Sequence, residues 1–288
     1  MKKFFSIVGC GRVGNALAIQ LSKAGYKCSG ISSKSIESAK KTAISIKAKK
    51  YTIHPWEVTD GADFIFITTP DSTIAEVCDN ISSHKGFSER NIIFHCSGSL
   101  PSTILNSAKK FNAKIGSLHP LQSFASIDPN INPFKGIICA IEGDDIAVNT
   151  GKHIIKDLES LCYVIETQGK TLYHASAVVA SNYLVSLMDM ALKLMEKAGL
   201  KKDEAFNVLK PLILGTLNNI EKNGTIKALT GPIARGDINI VIKHINDINS
   251  FVPELSFFYK VLGLYTVDLA KNNMISDEIA KKFKELLL

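Results

Sequence analysis

Apolar residues follow two different patterns along this chain. Up to about residue 168, short apolar runs alternate with segments in which apolar positions recur at three- and four-residue spacing. The runs predict buried parallel strands, and the spaced segments predict helices that cover them. From residue 169 onward the helical spacing continues without a strand signal. The sequence therefore predicts an α/β fold, with a doubly wound Rossmann domain over residues 1–168 followed by an all-α C-terminal domain over residues 169–288.

The expected elements are as follows. Strands are predicted at residues 4–8, 27–31, 51–53, 62–71, 91–98, 114–120, 136–141 and 162–167. Helices of the second domain are predicted at residues 170–198, 202–223, 237–249, 253–273 and 276–287.

The first predicted strand ends in a glycine-rich turn that opens a helix. Gly9, Gly11 and Gly14 have the spacing G-x-G-x-x-G. In dinucleotide-binding folds these glycines permit a tight turn, backbone approach to a pyrophosphate, and close packing of helix on strand. Free amides and the helix dipole then favour the phosphate charge. We predict a dinucleotide site that includes Arg12 and Val13; the alternative is a glycine-rich turn in an unrelated α/β fold.

The residues after the second predicted strand bear on the choice of cofactor. An NAD site usually has an acidic residue there that binds the ribose 2′-hydroxyl, whereas this chain has Ser32, Ser33 and Lys34. Hydroxyls and a lysine can bind a 2′-phosphate, which favours NADP. The alternative is that these residues only cap the helix that begins near Ile36.

Three later predicted strands end in polar residues. Thr69, Pro70 and Asp71 follow one strand, Ser97 another and His119 a third. In a doubly wound sheet all three ends lie at the carboxyl edge, where ligands bind. Ser97 is expected to contact the substrate or the cofactor carboxamide, and His119 to do so or to act as an acid. Either residue can instead be a turn former.

The helix that opens the second domain carries a second polar set. At helical spacing Lys170, His174 and Ser181 share one side, with Asn182 at its margin. A lysine, a histidine and an asparagine so arranged can supply acid–base chemistry and polarise a substrate. Alternatively, His174 is a hydrogen-bonded core histidine and Asn182 bonds a neighbouring helix.

A glycine- and proline-containing turn presents Arg235. The guanidinium fork of Arg235 is suited to a carboxylate or phosphate. The turn can equally be a rigid connection in which Asp237 caps the next helix or pairs with Arg235.

Composition excludes other function classes. A net charge of +7 over 288 residues is moderate, and the lysine-rich stretch 40–50 has no interleaved aromatics that would suggest nucleic-acid binding. The six cysteines show no metal-ligand spacing, so we expect no metal and a reducing compartment. The basic start is followed by too short an apolar run for export, and no run approaches the ~20 residues of a membrane span. We expect a cytoplasmic protein with no membrane or nucleic-acid partner.

The order of the motifs resembles a known family. The resemblance rests on the glycine loop, on Ser97-Gly98, His119-Pro120-Leu121-Gln122, Tyr173-His174 and Ser181-Asn182, and above all on residues 229–237, LTGPIARGD. These motifs resemble those of two-domain Rossmann-like proteins that have a C-terminal domain of unknown function and are catalogued as NADP oxidoreductases. That family is in turn similar to pyrroline-5-carboxylate reductases and β-hydroxyacid dehydrogenases. Lys170 and Asn182 resemble the lysine and asparagine of the dehydrogenases, although their spacing here is longer and a histidine lies between them.

The resemblance implies an NADP-dependent enzyme with a helical dimerisation domain. With the residues above, it leads us to expect hydride transfer between NADP(H) and a small carbonyl, imine or hydroxy acid. His174 would exchange the proton, Ser97 and Asn182 would orient the substrate, His119 would line the pocket, and Arg235 would hold a carboxylate. The alternative function is an NADP(H)-binding sensor or regulator that does no chemistry.

The last 50 residues carry more apolar side chains than a small domain easily covers. Phe257, Phe258, Val261, Leu262, Tyr265 and Leu269 recur at helical spacing. We expect a homodimer through the C-terminal helices, with internal packing of this face as the alternative.

Overall fold

The computed structural model describes residues 3–124, 131–272 and 274–288. The chain divides into two compact units, Met1–Asn182 and Tyr183–Leu288. The first unit holds one sheet with its covering helices, and the second is helical. The predicted fold class is therefore confirmed. The predicted domain boundary after residue 168 differs from this division and stays a prediction.

The strands of the first unit form one sheet. They are β1 (Phe4–Val8), β2 (Lys27–Ser32), β3 (Tyr51–Thr52), β4 (Phe64–Ile67), β5 (Ile92–His95), β6 (Lys114–Pro120), β7 (Ile138–Gly143) and β8 (Leu161–Val164). Their order is β3-β2-β1-β4-β5-β6-β7-β8, and only the β6–β7 pair is antiparallel. The strand order reverses between β1 and β4, so the carboxyl ends of these two strands flank the crevice where such sheets bind ligands.

The helices follow the predicted pattern closely. In the first unit they are α1 (Arg12–Lys23), α2 (Ile36–Ser45), α3 (Ile74–Ser83), α4 (Asp145–Asp157) and α5 (Lys170–Val178). In the second they are α6 (Leu184–Lys197), α7 (Lys202–Ala228), α8 (Pro232–Arg235), α9 (Ile238–Phe251), α10 (Ser256–Ala270) and α11 (Asp277–Leu287). Gly224 interrupts α7 with a φ of 76°, and a ten-residue 3-10 segment, Ser102–Phe111, follows β5.

Alternate residues of the central strands pack into cores on opposite faces of the sheet. Phe64 and Phe66 of β4 lie in one cluster, whereas Ile65 and Ile67 lie in the other. Since both faces are covered, every position of such a strand is apolar rather than every second one. This explains why the strands were visible in the sequence as continuous runs.

The second unit has its own smaller core. Val241, Val267, Ala280 and Phe283 are fully or almost fully buried within it. By contrast, the buried residues of α10 are the small or medium-sized Gly263, Val267 and Ala270, whereas large apolar side chains of that helix such as Phe257 and Tyr265 are exposed.

Two expectations from the sequence need correction. The segment 170–198 is not one regular α-helix, because a π-helical turn, Val179–Tyr183, separates α5 from α6. Each residue of a π-turn advances by less than the 100° of an α-helix, so Ser181 and Asn182 point in directions that differ from those expected for a regular α-helix. In addition, the helical stretch Thr167–Lys197 is long and apolar enough to cross a membrane by length and composition alone, which is weak evidence for a span.

Candidate functional site

The turn between β1 and α1 uses its three glycines for different reasons. Gly9 has a φ of 109°, and a β-carbon there would lie 2.7 Å from the Thr69 amide nitrogen. A β-carbon on Gly14 would collide with the Gly9 carbonyl oxygen. At Gly11, however, a β-carbon would meet nothing within 4 Å. Protein packing requires Gly9 and Gly14, whereas the space beside Gly11 is open for a ligand to approach the backbone.

A cavity of about 600 Å³ lies at this carboxyl edge of the sheet. It brings together eight of the predicted cofactor residues, namely Gly9, Gly11, Arg12, Val13, Ser33, Lys34, Thr69 and Pro70. Ser32 lines an adjoining cavity of about 440 Å³ with several of the same residues. Gly14, Asp71 and Ser97 line neither cavity. Ser123 and Phe124, which the sequence analysis missed, complete the first cavity from the segment after β6.

Polar atoms in these cavities fit a phosphorylated dinucleotide. Ser32 Oγ and Thr69 Oγ1 are buried without a hydrogen-bond partner among the described residues. A buried hydroxyl left unpaired costs about 1–3 kcal/mol, which a ligand can recover. Helix α2 is capped by the Ser35 side chain, which accepts a hydrogen bond from the Ser38 amide. Capping therefore does not occupy Ser32.

The predicted residues Asp71 and Ser97 bind each other. The Ser97 hydroxyl donates to Asp71 Oδ2 at 2.7 Å and accepts from the amides of Ser99 and Leu100. Ser99 Oγ donates to the same carboxylate oxygen at 2.9 Å. Ser97 thus organises the turn after β5 and links it to the residue that follows Pro70.

Two histidines meet over Gly98 at the next position along the edge. A β-carbon on Gly98 would lie 2.6 Å from His174 Nδ1 and 2.8 Å from His119 Nε2. The two imidazole rings are 6.1 Å apart between centroids and nearly perpendicular. His119 Nδ1 is hydrogen-bonded to the Tyr173 hydroxyl at 3.0 Å. His174 Nδ1 is buried and has no partner among the described residues, so the core-histidine alternative leaves this atom unexplained.

The surroundings of His119 and Tyr173 favour the uncharged forms of these two side chains. Burial, together with the nearby charge of Lys170, lowers the pKa of His119 to about 4. Burial raises the pKa of Tyr173 to about 12. Near neutral pH the His119 imidazole is therefore neutral and the Tyr173 phenol keeps its proton. His119 can act there as a hydrogen-bonding group, and its alternative role as an acid stays a prediction that the lowered pKa does not favour.

Lys170 lies inside the protein, in an ion pair with Glu142. Its Nζ is 3.2 Å from Glu142 Oε1 and also donates to Ser117 Oγ, and both charged side chains are 2% exposed. Glu142 accepts three further hydrogen bonds, from the Ser102 amide and hydroxyl and from the Thr167 hydroxyl. Burial alone would raise the pKa of Glu142, but the Ser102 hydrogen bonds and the Lys170 charge outweigh it and leave the pKa lowered. Only an ionised carboxylate accepts from all of these donors at once.

His95 is a further buried histidine beneath the turn. Its Nδ1 accepts from the Ser97 amide at 3.1 Å and its Nε2 faces the Pro101 carbonyl at 3.2 Å. These partners require the neutral tautomer with its proton on Nε2. Burial lowers the pKa of His95 to about 4.

The remaining predicted residues lie elsewhere. Asn182 is in the π-turn at the end of the first unit. Arg235 belongs to the second unit, where its Nε is 3.0 Å from Asp237 Oδ2, as one of the alternatives anticipated. The roles of Asn182 and Arg235 toward a substrate stay predictions. In the described part of the chain, no group of three or more His, Cys, Asp or Glu side chains is placed to hold a metal.

Glu142 and His95 are further polar residues that sequence reasoning missed, and it gave Tyr173 no role of its own. Glu142 follows the apolar run of β7, and a carboxylate at the end of a buried strand was the available signal. Its partner Lys170 was visible only as a lysine at a helix start. The ion pair joins residues 28 positions apart in the sequence, and only the folded structure shows that they meet.

Comparison with known proteins agrees with the observed architecture. Residues 2–120 match the model of a Rossmann-like domain, and residues 137–266 match that of a domain of unknown function, DUF2520. No curated protein matches the chain at a significant level.

Three solved structures share the fold. A candidate NADP oxidoreductase from Bacteroides fragilis is 25% identical with a TM-score of 0.74, over 94% of this chain and 99% of that one. A protein from Thermotoga maritima is 26% identical with a TM-score of 0.69, over 93% and 98% of the two chains. A pyrroline carboxylate reductase from Plasmodium falciparum, solved with NADP bound, is 14% identical with a TM-score of 0.59 over 100% of both chains, and shows likeness of fold alone. The two domain matches thus indicate a Rossmann-like domain that is followed by a region similar to DUF2520.

Proposed function

We propose that this protein is an NADP-dependent oxidoreductase that transfers hydride between NADP(H) and a small carbonyl, imine or hydroxy acid. The observation that carries the proposal is the buried Nδ1 of His174, which has no hydrogen-bond partner among the residues that the structure describes and lies against Gly98 at the ligand-binding edge of the Rossmann sheet. The similar Bacteroides fragilis protein, described as a candidate NADP oxidoreductase, supports the same class of reaction.

The cofactor is assigned to the two adjoining cavities at the carboxyl ends of β1, β2 and β4. Gly11 and Arg12 at the start of α1 would receive the pyrophosphate, and Ser33 and Lys34 the 2′-phosphate. The bound nicotinamide supplies or accepts the hydride.

The side chains of the protein would exchange a proton with the substrate and hold the substrate in place. His174 is assigned as the group that exchanges the proton, because no residue in the described part of the chain competes for its Nδ1. Neutral His119, oriented by Tyr173, is assigned a hydrogen bond to the substrate oxygen or nitrogen. Ser97 and Lys170 are assigned positioning roles, since their polar atoms already bind Asp71, Ser117 and Glu142.

We also propose a cytoplasmic homodimer. All six cysteines are free, as expected in a reducing compartment. The exposed apolar side of α10 supports association through the C-terminal helices.

The reaction is tested by following NADPH oxidation with a panel of small 2-keto acids, cyclic imines and carbonyl–amine mixtures. We expect turnover of at least one class, and His174→Gln should lower kcat by about 10²–10⁴-fold, the usual contribution of a general acid or base. NADPH affinity should be unchanged in that variant. The exposed histidine variant His153→Gln is the matched control. Tight NADPH binding without turnover of any substrate would contradict the proposed enzymatic activity and would favour an NADP(H)-binding sensor.

A further inference from the structure

A second large cavity of the first unit lies away from the proposed cofactor site. It measures about 1180 Å³ and is bordered by the starts of β1 and β2 and by the residues that precede β4 and β5. Because these strands are parallel, all four borders belong to the amino edge of the sheet. A five-residue strand such as β1 is about 16 Å long, so this cavity and the Gly11 turn are on opposite edges.

Cations from separate segments converge on this cavity. Lys3, Lys27, Lys47, Lys49 and Arg90 all line it. Among the residues that the structure describes, none of the five side chains has an ion-pair partner. Lys47 and Lys49 belong to the lysine-rich stretch 40–50, and the fold brings them to the same rim as Lys3, Lys27 and Arg90.

The negative charges that line the cavity do not balance these cations, and the nearby Asp157 carboxylate accepts a hydrogen bond from the Tyr26 hydroxyl at 2.6 Å. Asp60 and Asp63 line the cavity, and Asp63 also accepts a hydrogen bond from the Phe4 amide at 2.8 Å. The ends of α1 and α2 reach the cavity at Ser22 and Ile46, and each helix C-terminus counts as about half a negative charge. Five cations against two carboxylates and two helix ends leave about two positive charges uncompensated.

The walls between the charges are partly apolar and partly unsatisfied. Lys27 Nζ lies 5.7 Å from the centre of the Phe4 ring, and Lys3 Nζ lies 5.1 Å from that of Phe64. These rings hold the two ammonium groups without neutralising them. Ser29 Oγ, which also borders the cavity, is buried and has no hydrogen-bond partner among the described residues. The cavity therefore combines cations and apolar surface, and its wall contains a buried hydroxyl with no hydrogen-bond partner in the described part of the chain.

We propose that this amino-edge cavity binds a small organic phosphate that carries at least two negative charges. The anionic groups contact the lysines and Arg90, Ser29 Oγ takes part in the hydrogen bonding, and the apolar part of the ligand lies against Phe4 and Tyr26. The site is separate from the cofactor cavities, and the inference does not depend on the proposed reaction.

The test is a pair of calorimetric titrations at constant ionic strength. The full chain is first saturated with NADP⁺ and is then titrated with ADP in one experiment and with inorganic pyrophosphate in the other. Saturation with NADP⁺ keeps both probes out of the cofactor cavities. We expect one binding event per chain for each probe, weakened by added salt. ADP should bind more tightly than pyrophosphate, because only ADP has a part that can use the apolar wall.

Two matched double variants locate the binding. Lys27→Gln/Lys49→Gln should weaken both probes at least tenfold, whereas Lys40→Gln/Lys110→Gln, which removes the same charge from exposed lysines outside this cavity, should leave them unchanged. Melting temperatures of both variants check that the fold is intact. Absence of binding under NADP⁺ saturation would overturn the proposal. Equal weakening by the two double variants would also overturn it, because it would indicate nonspecific attraction by net charge.

Discussion

The Nδ1 atom of His174 lies 2.6 Å from the point where a β-carbon on Gly98 would be. No side chain larger than hydrogen fits between the turn after β5 and the first turns of α5. The absence of a side chain at residue 98 is thus what allows His174 and His119 to face each other at the carboxyl edge. The residue is a glycine because of this close approach, and its backbone φ is not in the left-handed region.

Gly98→Ala is expected to damage activity more than stability. The added methyl group must displace one or both imidazole rings, and overpacking of this kind costs typically about 1–3 kcal/mol. Displacement of a reacting group by about 1 Å can lower the rate about 10²-fold. Steady-state kinetics should show that loss in kcat, while NADPH affinity stays within about twofold. Gly169→Ala, where a β-carbon meets nothing within 4 Å, is the control and should change neither quantity. Unaltered kcat in Gly98→Ala would remove His174 and His119 from the reaction.

The buried ion pair of Glu142 and Lys170 should be strongly coupled. Removal of one partner leaves a buried charge unpaired, which costs about 3–5 kcal/mol, so Glu142→Gln should lower the free energy of unfolding by that amount. Glu142→Gln/Lys170→Met removes both charges and should cost less than the sum of the two single variants by more than about 1 kcal/mol. Urea unfolding of the four proteins gives this coupling directly. Additive losses would mean that the two side chains do not interact as an ion pair.

His95 should make the protein less stable as the pH falls below neutrality. Its pKa is lowered from 6.5 to about 4 in the folded state, so between these values the unfolded chain binds the proton first. The stabilisation is thus present above the unfolded pKa and is lost as pH falls toward the folded pKa. From about pH 7 to about pH 5 this single group should lower the free energy of unfolding by up to about 2 kcal/mol.

Urea unfolding of His95→Gln at the two pH values measures that contribution. Glutamine can still accept from the Ser97 amide and donate to the Pro101 carbonyl, so the variant tests protonation rather than the loss of both hydrogen bonds. We expect the difference in the free energy of unfolding between about pH 7 and about pH 5 to be smaller in this variant by up to about 2 kcal/mol. The exposed histidine variant His153→Gln serves as the reference. An unchanged difference in His95→Gln would assign the acid sensitivity to another group, such as His119, whose pKa is also lowered to about 4.

Cofactor choice should depend on Lys34. Its side chain borders both cavities at the carboxyl edge, and no acidic residue follows β2 at this position. Lys34→Ala should weaken NADPH more than NADH by about 1–3 kcal/mol, the value of a charge-assisted hydrogen bond. Calorimetric titration of both cofactors measures the difference, with Lys40→Ala as the control. Equal affinity of the unaltered protein for NADPH and NADH would show that the 2′-phosphate is not recognised there.

The sequence predicted the sheet well because its strands are buried on both faces. Continuous apolar runs such as that at β4 have few other interpretations, and the glycine spacing marks the β1–α1 turn by simple steric demands. Helix limits were also close, since Gly199 and Pro253 end or begin helices for local reasons.

The polar site was less predictable because its geometry depends on nonlocal packing. Residue types at strand ends indicated Ser97 and His119, but not that Asp71 would accept the Ser97 hydrogen bond. Nothing local in the sequence indicates that Lys170 would be drawn inside by Glu142, or that a π-turn would change the side-chain directions after Val178. Such pairings are decided by strand order and burial, which periodicity does not encode.

The exposed apolar side of α10 leads to the final prediction, that of a homodimer. Phe257 and Tyr265 are 70% and 68% exposed, and Phe258, Val261 and Leu262 are exposed beside them. Monomeric proteins rarely expose such a contiguous apolar face, and burial of each large side chain contributes about 1.5–3 kcal/mol. Light scattering at micromolar concentration should give twice the chain mass of 31.4 kDa. Phe257→Asp/Val261→Asp should shift the protein to the monomer mass, whereas Lys281→Asp on the charged face of α11 should leave the dimer intact. A mass that stays near 31.4 kDa at every concentration would show that the helical unit is stable with this face exposed to water.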